Sequence, residues 1–342
     1  MKKLLAAALV AALSVSMLAA CGDSTSTTTT DSADTTATSE AAGDAAATTD
    51  AAWPSAAVTF SVPAKAGGVT DIYTRYVQNS LQQNWGGTYA TTNYDTPAVA
   101  YNTVVTASDA NTLLFQHSSL ACNYVTGSLQ FDPTTDYRVV GCVADMGAQA
   151  IIVSPDAPYN TWEELVEYCK ANDGNVSCAI STNGTTHFIF GEVEQFYGFT
   201  FNKVECGSEA DKLTNVAGGI IEVANCSLSN AQQYEEAGQI KVLAILGDGS
   251  KTEYDGYDWP VITDVTWAAH MYVFANANIS DADAQAINDA LCAVANDAEY
   301  VEECEAMGGT ALAYTLEEAQ ADFDATVENC KTIAEALGIL GI

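Results

Sequence analysis

Glycines and hydroxyl side chains that follow predicted strands are the residues of this sequence best suited to binding a small anion. A strand over 58–62 leads through Gly67 and Gly68 into a helix that Thr70 or Asp71 can cap. Free N–H groups at the positive end of a helix favour a carboxylate or another anion, so this loop is a candidate anion site. A plain turn without a ligand would produce the same pattern, and this alternative stays open.

Two later loops repeat this arrangement of a strand end, hydroxyl groups and a helix start. The predicted strand 112–116 runs into the His-Ser-Ser segment 117–119. The predicted strand 176–180 is followed by 181–187, which holds hydroxyl residues, an Asn and a Gly before the next helix. Hydroxyl and N–H groups that converge on a helix start can hold an anion, and an ordinary helix cap is the alternative.

The elements that must position these loops alternate between strands and helices. We predict further strands over 136–143, 148–153, 201–205, 220–225, 240–246 and 267–275, and helices over 161–169, 188–197, 208–217, 229–237, 281–296 and 316–337. Such alternation indicates an α/β fold with parallel sheets that helices cover on both faces. The roughly 290 residues after the amino-terminal region suggest two domains.

The amino-terminal region has the features of an export signal. A basic start and an apolar run fill 1–20, and the run is too short to span a membrane. The sequence Leu-Ala-Ala-Cys at 18–21 resembles a bacterial lipobox, which implies cleavage before Cys21 and acylation of its thiol. The lipidated cysteine and a flexible, acidic tether would fill 21–52. The expected location is therefore extracytoplasmic, anchored to the cell membrane.

Charge and motif content exclude several classes of function. The chain has 11 basic and 44 acidic residues, a net charge of −33, whereas nucleic-acid binding needs clustered Lys and Arg. There is no Gly-Xaa-Ser-Xaa-Gly elbow, no Cys-Xaa-Xaa-Cys pair and no His-Glu-Xaa-Xaa-His motif. We therefore predict no enzyme, no cofactor and no metal site. A Ser-His pair at one of the hydroxyl loops and a structural surface lipoprotein are the remaining alternatives.

Of the ten cysteines, nine follow Cys21, and an odd number cannot all pair within one chain. They are Cys122, Cys142, Cys169, Cys178, Cys206, Cys226, Cys292, Cys304 and Cys330. Their spacing matches no compact disulfide framework, so we expect buried thiols that pack as small hydrophobic groups. Cys292 with Cys304 is the one pair for which a bridge stays open.

The order of segments resembles that of a known family, the substrate-binding receptors of tripartite tricarboxylate transporters, also called Bug receptors. The segment 62–71 is similar to the family's Val-Pro-Phe-Xaa-Pro-Gly-Gly-Xaa-Xaa-Asp opening, and 109–115 to its Asp-Gly-Tyr-Thr-Leu-Leu segment. The segment 131–136 resembles its Tyr-Asp-Pro-Xaa-Xaa-Asp element, and 181–187 its Ser/Gly/Asn-rich loop before a His. The resemblance covers the whole predicted fold.

This resemblance implies a type II periplasmic-binding-protein-like clamshell. Each of its two lobes would be a mostly parallel sheet flanked by helices, and the chain would cross twice between the lobes. Lobe 1 would hold 53–153 and 267–342, and lobe 2 would hold 154–266. The ligand would lie in the cleft between them.

The resemblance also implies the ligand and its contacts. The ligand would be a small carboxylate, such as a di- or tricarboxylate, held by backbone N–H groups and hydroxyls. The residues nominated for this role are Ala66, Gly67, Gly68, Asp71, Ser118, Ser119, Ser181, Thr182, Gly184, Thr185 and Thr186. The receptor would hand the organic acid to the membrane permease subunits of a tripartite tricarboxylate-type transporter.

Two departures from the family pattern bear on the ligand. Lys65 adds a cation to the first loop, where it either pairs with a second carboxylate or points into water. The segment 225–227 replaces the family's Phe-Asp-Asn, so Asn225 and Ser227 would offer neutral hydrogen bonds. Loss of that Asp argues against an amino-acid ligand, although an amino acid or a sugar stays the alternative.

Overall fold

A computed structural model describes residues 53–342. The predicted signal segment, Cys21 and the tether lie outside the described residues. The described chain forms two six-stranded sheets with helices packed on them. The two-lobe α/β fold predicted from the sequence is confirmed.

Lobe 1 is built on the first sheet. Its strands are β1 (Val58–Val62), β2 (Tyr89–Asn93), β3 (Thr112–His117), β4 (Tyr137–Asp145), β11 (His270–Asn276) and β12 (Thr310–Ala311). Its helices are α1 (Val69–Asn84), α2 (Pro97–Val105), α3 (Ser119–Val125), α8 (Asp281–Ala295), α9 (Ala298–Ala306) and α10 (Leu316–Leu337). The strand order is β12-β4-β11-β3-β1-β2.

Lobe 2 is built on the second sheet. Its strands are β5 (Gln149–Val153), β6 (Ser177–Ile180), β7 (Asn202–Glu205), β8 (Val223–Ser227), β9 (Lys241–Leu246) and β10 (Val261–Ile262). Its helices are α4 (Trp162–Ala171), α5 (Thr185–Tyr197), α6 (Glu209–Ala217) and α7 (Leu228–Glu236). The strand order is β10-β9-β5-β8-β6-β7.

Most strands of each sheet point in one direction. β1 pairs in parallel with β2 and β3, β6 with β7 and β8, and β9 with β10. The strand that follows each chain crossing, β5 in lobe 2 and β11 in lobe 1, is antiparallel to both of its neighbours. The carboxyl ends of the parallel strands meet at one edge of each sheet, which is where ligands bind in open α/β sheets.

The first chain crossing lies earlier than the sequence predicts. The predicted boundary at 153–154 places the apolar run 148–153 in lobe 1. This run forms β5, which pairs with β8 and β9 of lobe 2, so the chain crosses between β4 and β5. An apolar run indicates a buried strand but does not show which sheet buries it, which explains the error. The second crossing lies between β10 and β11, where the predicted boundary at 266–267 also falls.

Helix α10 packs on lobe 1 and also reaches lobe 2. It contacts β4 and α3 in lobe 1 and α5 in lobe 2. The side-chain amide of Gln195 in α5 donates to the carbonyl oxygen of Ala336 at 3.2 Å. A Cβ atom at Gly191 would overlap the side chain of Leu337, so this glycine allows the two helices to approach closely.

The nine cysteines of 53–342 are all free, and all except Cys292 are buried, as the sequence predicts. Cys292 and Cys304, the candidate pair, are not bridged. Within the same range, no helix is both long enough and apolar enough to cross a membrane.

Candidate ligand-binding site

A cavity of about 720 Å³ lies between the two lobes. Lobe 1 lines it with residues that follow β1, β2 and β3, and lobe 2 with residues that follow β6 and β7 and with the last residues of β8. Ile189, Leu246 and Trp267 contribute apolar surface to its wall. This volume and mixed lining suit a small organic molecule.

Several helices begin at this cavity. The first residue of α1, α2, α5 and α6, and the residue that precedes α7, all belong to its lining. A helix start carries partial positive charge and N–H groups without partners inside the helix. In a chain with a net charge of −33, these helix starts create a local environment that favours an anion.

Lys212, on α6, places a buried ammonium in the cavity wall. The residue is 8% exposed, and its Nζ donates to Oδ1 of Asn225 at 3.0 Å. Among the described residues, no carboxylate lies within 4.0 Å of this nitrogen. Burial lowers the pKa of the ammonium, and the more distant carboxylate of Glu209 acts in the opposite direction. A buried cation whose partner is a neutral amide is costly until an anion joins it.

Glu209 lies one turn before Lys212 on α6 and lines the same cavity. Its Oε1 accepts from the N and Oγ of Ser227, at 3.2 and 2.7 Å, and from Nδ2 of Asn230 at 2.5 Å. Its Oε2 receives no hydrogen bond from any described residue and is available to a donor. Glu209 and Lys212 are the two side chains with full charges among the described residues of the lining.

Three other polar groups of the wall are buried without a hydrogen-bond partner among the described residues. They are the hydroxyls of Tyr73 in α1 and Thr185 in α5, and the indole N–H of Trp267 at the second crossing. Such groups are rare in folded proteins, because each costs about 1–3 kcal/mol when it is left unpaired. Tyr73 belongs to lobe 1 and Thr185 to lobe 2, so unpaired polar groups lie in the wall on both sides of the cavity.

His117, at the end of β3, supplies a neutral N–H group to the lining. Its Nδ1 accepts from the backbone N of Ser119 at 3.2 Å, which assigns the ring proton to Nε2, 3.5 Å from Oγ of Ser119. Burial lowers the pKa of the imidazole to about 4. The lone pair that a general base would need is engaged by a backbone donor, which disfavours Ser-His catalysis here.

Most of the predicted hydroxyl residues line the cavity. The predicted residues in its lining are Ser119, Ser181, Thr182, Gly184, Thr185, Thr186, Asn225 and Ser227. The predicted residues outside its lining are Lys65, Ala66, Gly67, Gly68, Asp71 and Ser118. The first loop reaches the cavity through its neighbours Pro63, Ala64, Val69 and Thr70, and Lys65 is exposed.

The glycine loop is folded around Asp71 rather than around the cavity. Asp71 accepts from the backbone N of Gly67 at 2.8 Å and pairs with Arg75 at 3.0 Å. Burial would raise the pKa of this carboxyl, but the bonds from Arg75 and Gly67 outweigh burial and lower it. Ser118 faces β11, where its Oγ accepts from the N of His270 at 3.3 Å. Both polar side chains thus hold the local backbone.

The loop before α5 is held mainly by its own side chains. Oγ1 of Thr186 accepts from the N of Ser181 at 2.7 Å, and Thr182 donates to Oε2 of Glu205 from its N at 2.7 Å and its Oγ1 at 2.5 Å. Asn183 donates from its amide to Oγ of Ser128 in lobe 1 at 3.1 Å. The hydroxyl of Thr185 stays unpaired and buried at the helix start, so it is the hydroxyl of this loop best placed for a ligand.

Four residues of the lining are not among those predicted from the sequence: Lys212, Glu209, Tyr73 and Trp267. The aromatic residues have the pattern of core residues, and helical lysines usually point into water. One signal was present for Lys212, because it shares the buried face of α6 with Leu213 and with Val216, four residues further on.

Outside the cavity lining, Cys142, His270 and Asp322 are a group whose ligand types suit a metal ion. One ligand atom from each of them lies within 4.8 Å of the others. Oδ2 of Asp322 is already engaged by Nδ1 of His270 at 2.7 Å and by the hydroxyl of Tyr272 at 2.5 Å. Hydrogen bonds among these side chains are sufficient to explain their arrangement.

The two lobes, the paired crossings and the cavity between them define the fold of the two-lobe periplasmic binding proteins. An adipate-bound protein of Rhodopseudomonas palustris is similar, with a TM-score of 0.73, 19% identity and coverage of 85% of this chain and 100% of that chain. MatC of the same organism, with bound malate, has a TM-score of 0.69 at 15% identity, covering 82% of this chain and 99% of that chain. At these identities the likeness shows a shared fold.

The sequence profile of the TctC family, the tripartite tricarboxylate transporter family receptors, matches residues 75–320, and the chain belongs to this family. Protein BugT of Bordetella pertussis is 24% identical over 212 residues, which are 59% of this chain and 64% of that protein. The chain spans between 57% and 64% of the length of the curated relatives that it matches. The family resemblance predicted from the sequence is confirmed.

Proposed function

We propose that this protein is an extracytoplasmic receptor that captures a small carboxylate, such as a di- or tricarboxylate, between its lobes. It would deliver this organic acid to the permease subunits of a tripartite tricarboxylate-type membrane transporter. The observation that carries the proposal is the buried ammonium of Lys212, which has a neutral amide as its partner in a cavity where helices begin. The family assignment supports the proposal, as do the adipate and malate of two similar structures.

A ligand carboxylate would complete the environment of Lys212. It would form a charge-assisted hydrogen bond with Nζ and accept further bonds from N–H groups at the helix starts. Its negative charge would offset the cost of keeping the ammonium out of water. A neutral sugar would leave that cost in place, so the ammonium favours an acid over a sugar.

Binding would stabilise a closed arrangement of the lobes. Tyr73 belongs to lobe 1 and Thr185 to lobe 2; both residues line the cavity, and their hydroxyls are buried without a partner among the described residues. A ligand that satisfies both hydroxyls at once has more contacts when the lobes are closed than when they are open. Such a ligand shifts the population toward the closed state.

An amino acid is a second candidate ligand, and Glu209 is the observation that favours it. The free Oε2 of Glu209 would accept from a ligand ammonium, while Lys212 would pair with the ligand carboxylate. Sequence reasoning argues against an amino acid because Asn225 replaces the family's Asp. Glu209 supplies a carboxylate to the same cavity from a different element, which weakens that argument.

Anchoring by an acylated Cys21 is part of the proposal and rests on the lipobox-like sequence alone. A lipid anchor would keep the receptor at the membrane, close to its permease. Metabolic labelling of the expressing cells with a fatty-acid analogue tests this part. A Cys21→Ala variant should lose the label and leave the membrane fraction.

A thermal-shift panel tests the ligand class. The panel holds mono-, di- and tricarboxylates, acidic and neutral amino acids, and sugars, each in excess over the protein. A ligand at a hundredfold excess over its Kd should stabilise the fold by about 2.7 kcal/mol, which raises the Tm by several degrees. We expect shifts with carboxylates and none with sugars.

The remaining outcomes of the panel separate the alternatives. A response confined to amino acids would replace the carboxylate with the second candidate. A response confined to sugars would contradict both acid ligands and keep a solute receptor. No response to any class would favour a structural lipoprotein.

A further inference from the structure

Cys122 and Cys330 form a close pair of thiols where α3 packs on α10. Their sulfur atoms lie 3.7 Å apart, and both residues are fully buried. The S–S bond of a disulfide is about 2.05 Å long, so the sulfurs would need to approach by about 1.7 Å. Rotation of the two cysteine side chains about their Cα–Cβ bonds can move the sulfur atoms by this distance.

Within 53–342, this is the one pair of cysteines whose sulfur atoms are in contact. Other thiols have unrelated neighbours: the Sγ of Cys292 donates to the carbonyl oxygen of Tyr314 at 3.4 Å, and that of Cys206 accepts from Asn215 at 3.6 Å. The nine free cysteines therefore differ in their ability to pair. Proximity selects Cys122 and Cys330.

We infer that Cys122 and Cys330 are a site of disulfide formation that links α3 to α10 when the chain folds or opens in an oxidising medium. With a small disulfide such as oxidised glutathione as the oxidant, one cysteine thiolate attacks the oxidant and releases one glutathione. The second cysteine attacks the mixed disulfide and releases the other. The protein thiols lose two protons and two electrons in total, and the oxidant is reduced to two thiols.

Burial makes the folded, reduced pair slow to react. It raises the pKa of the Cys122 thiol well above its usual value, and the hydrogen bond with Cys330 adds to the increase. Little Cys122 thiolate is present in the folded protein as a result, and thiolate is the reactive form. The bond therefore forms during folding or after α10 opens locally, and once formed it is shielded from reductants.

The bond would act on a helix that contacts both lobes. α10 touches α3 in lobe 1 and α5 in lobe 2, and Asn123, next to Cys122, lines the cavity. The two cysteines are 208 residues apart in the sequence. A cross-link over such a distance restricts the unfolded chain and raises the stability of the fold.

Refolding in a redox buffer tests this inference without any need for access to the folded core. The reduced, denatured protein is refolded in reduced and oxidised glutathione, the remaining thiols are blocked, and linked peptides are mapped by mass spectrometry. We expect one internal bridge, between the peptides that contain Cys122 and Cys330. The Tm of the bridged protein should exceed that of the reduced protein by several degrees.

Three single substitutions serve as controls. Cys122→Ala and Cys330→Ala should refold without a bridge and should show the same Tm in reducing and oxidising media. Cys292→Ala removes a thiol away from the pair and should keep both the bridge and the Tm difference. A refolded wild-type protein in which both thiols stay free, or in which a different pair is linked, would overturn the inference, whether or not the variants fold.

Discussion

At the scale of single residues, the cavity wall differs from a packed core in the polar groups that it leaves without partners. Burial lowers the pKa of the Lys212 ammonium, whose direct partner is the amide of Asn225. Removing a cation from water costs several kcal/mol, and a neutral amide compensates only in part. Because an anion would offset more of this cost than a neutral amide does, Lys212 favours a negatively charged ligand over a neutral one.

His117 allows a prediction about pH at the same scale. Its pKa is lowered to about 4 in the folded protein, against 6.5 for an unperturbed histidine. Between these values the unfolded chain binds a proton that the folded protein does not, so stability falls as the pH falls from 6.5 toward 4. This residue should account for a loss of about 2.5 kcal/mol of unfolding free energy over that window.

Urea denaturation at several pH values measures this contribution. In His117→Gln the amide can still accept from Ser119 but cannot titrate, so the variant should lose less stability than the wild type as the pH falls from 6.5 to 4. The pKa of His187 is also lowered, but its effect on stability is the same in both proteins and cancels in the comparison. Parallel pH profiles for the two proteins would show that His117 is not held neutral by burial.

At the scale of elements, the two chain crossings between the lobes lie side by side. The N of Met146 in the first crossing donates to the carbonyl oxygen of Ala269 in the second, at 2.7 Å. Gly147 follows with a φ of +81°, and a Cβ atom there would overlap the carbonyl oxygen of Gly308. The first crossing can therefore pack against the segment before β12 only if residue 147 is a glycine.

Replacing this glycine should destabilise the protein more than replacing a similar glycine elsewhere. Gly174 has a φ of +73° but open space where its Cβ atom would lie. Gly174→Ala should lower the free energy of unfolding by about 1 kcal/mol, because of the left-handed backbone alone. Gly147→Ala should cost at least about 2 kcal/mol more, because backbone atoms must also move. Equal midpoints of urea denaturation for the two variants would contradict the tight packing of the crossing.

Elements with strong periodicity could be predicted from the sequence, whereas weakly patterned ones could not. α10 lies at 316–337 as predicted, and α4 begins within a residue of its predicted start because Thr161 caps it. β2 is largely polar and α2 is short, so neither has a clear apolar pattern, and both are absent from the prediction. Whether 148–153 joins one sheet or the other depends on tertiary pairing, which no local pattern records.

The same distinction applies to the candidate site. Loops that follow parallel strands can be placed from the sequence, because strand direction fixes the edge at which they lie, and Ser181 and Thr185 are where this argument puts them. The sequence does not show whether a loop residue faces the cavity or its own backbone. Asp71, for example, accepts a hydrogen bond from the backbone N of Gly67. Lys212 lies within a helix, and its position at the cavity depends on how that helix packs.

In the whole molecule, paired crossings join the two lobes around the cavity. Asn183 of lobe 2 donates to Ser128 of lobe 1, and α10 contacts α5, so the lobes meet at more than the crossings. The cavity holds its ammonium inside a molecule that is otherwise strongly acidic. We propose that this ammonium binds the carboxylate of the ligand.

Isothermal titration of the wild type and of Lys212→Met, with the carboxylate that gives the largest thermal shift, tests that claim most directly. Lys170→Met, which removes an exposed lysine from α4, is the matched control. Loss of a buried, charge-assisted contact should weaken binding by about 2 kcal/mol, or roughly 30-fold, while the Tm without ligand stays the same or rises. The control should bind as the wild type does. Unchanged affinity in Lys212→Met, with a normal Tm, would show that Lys212 does not bind the ligand.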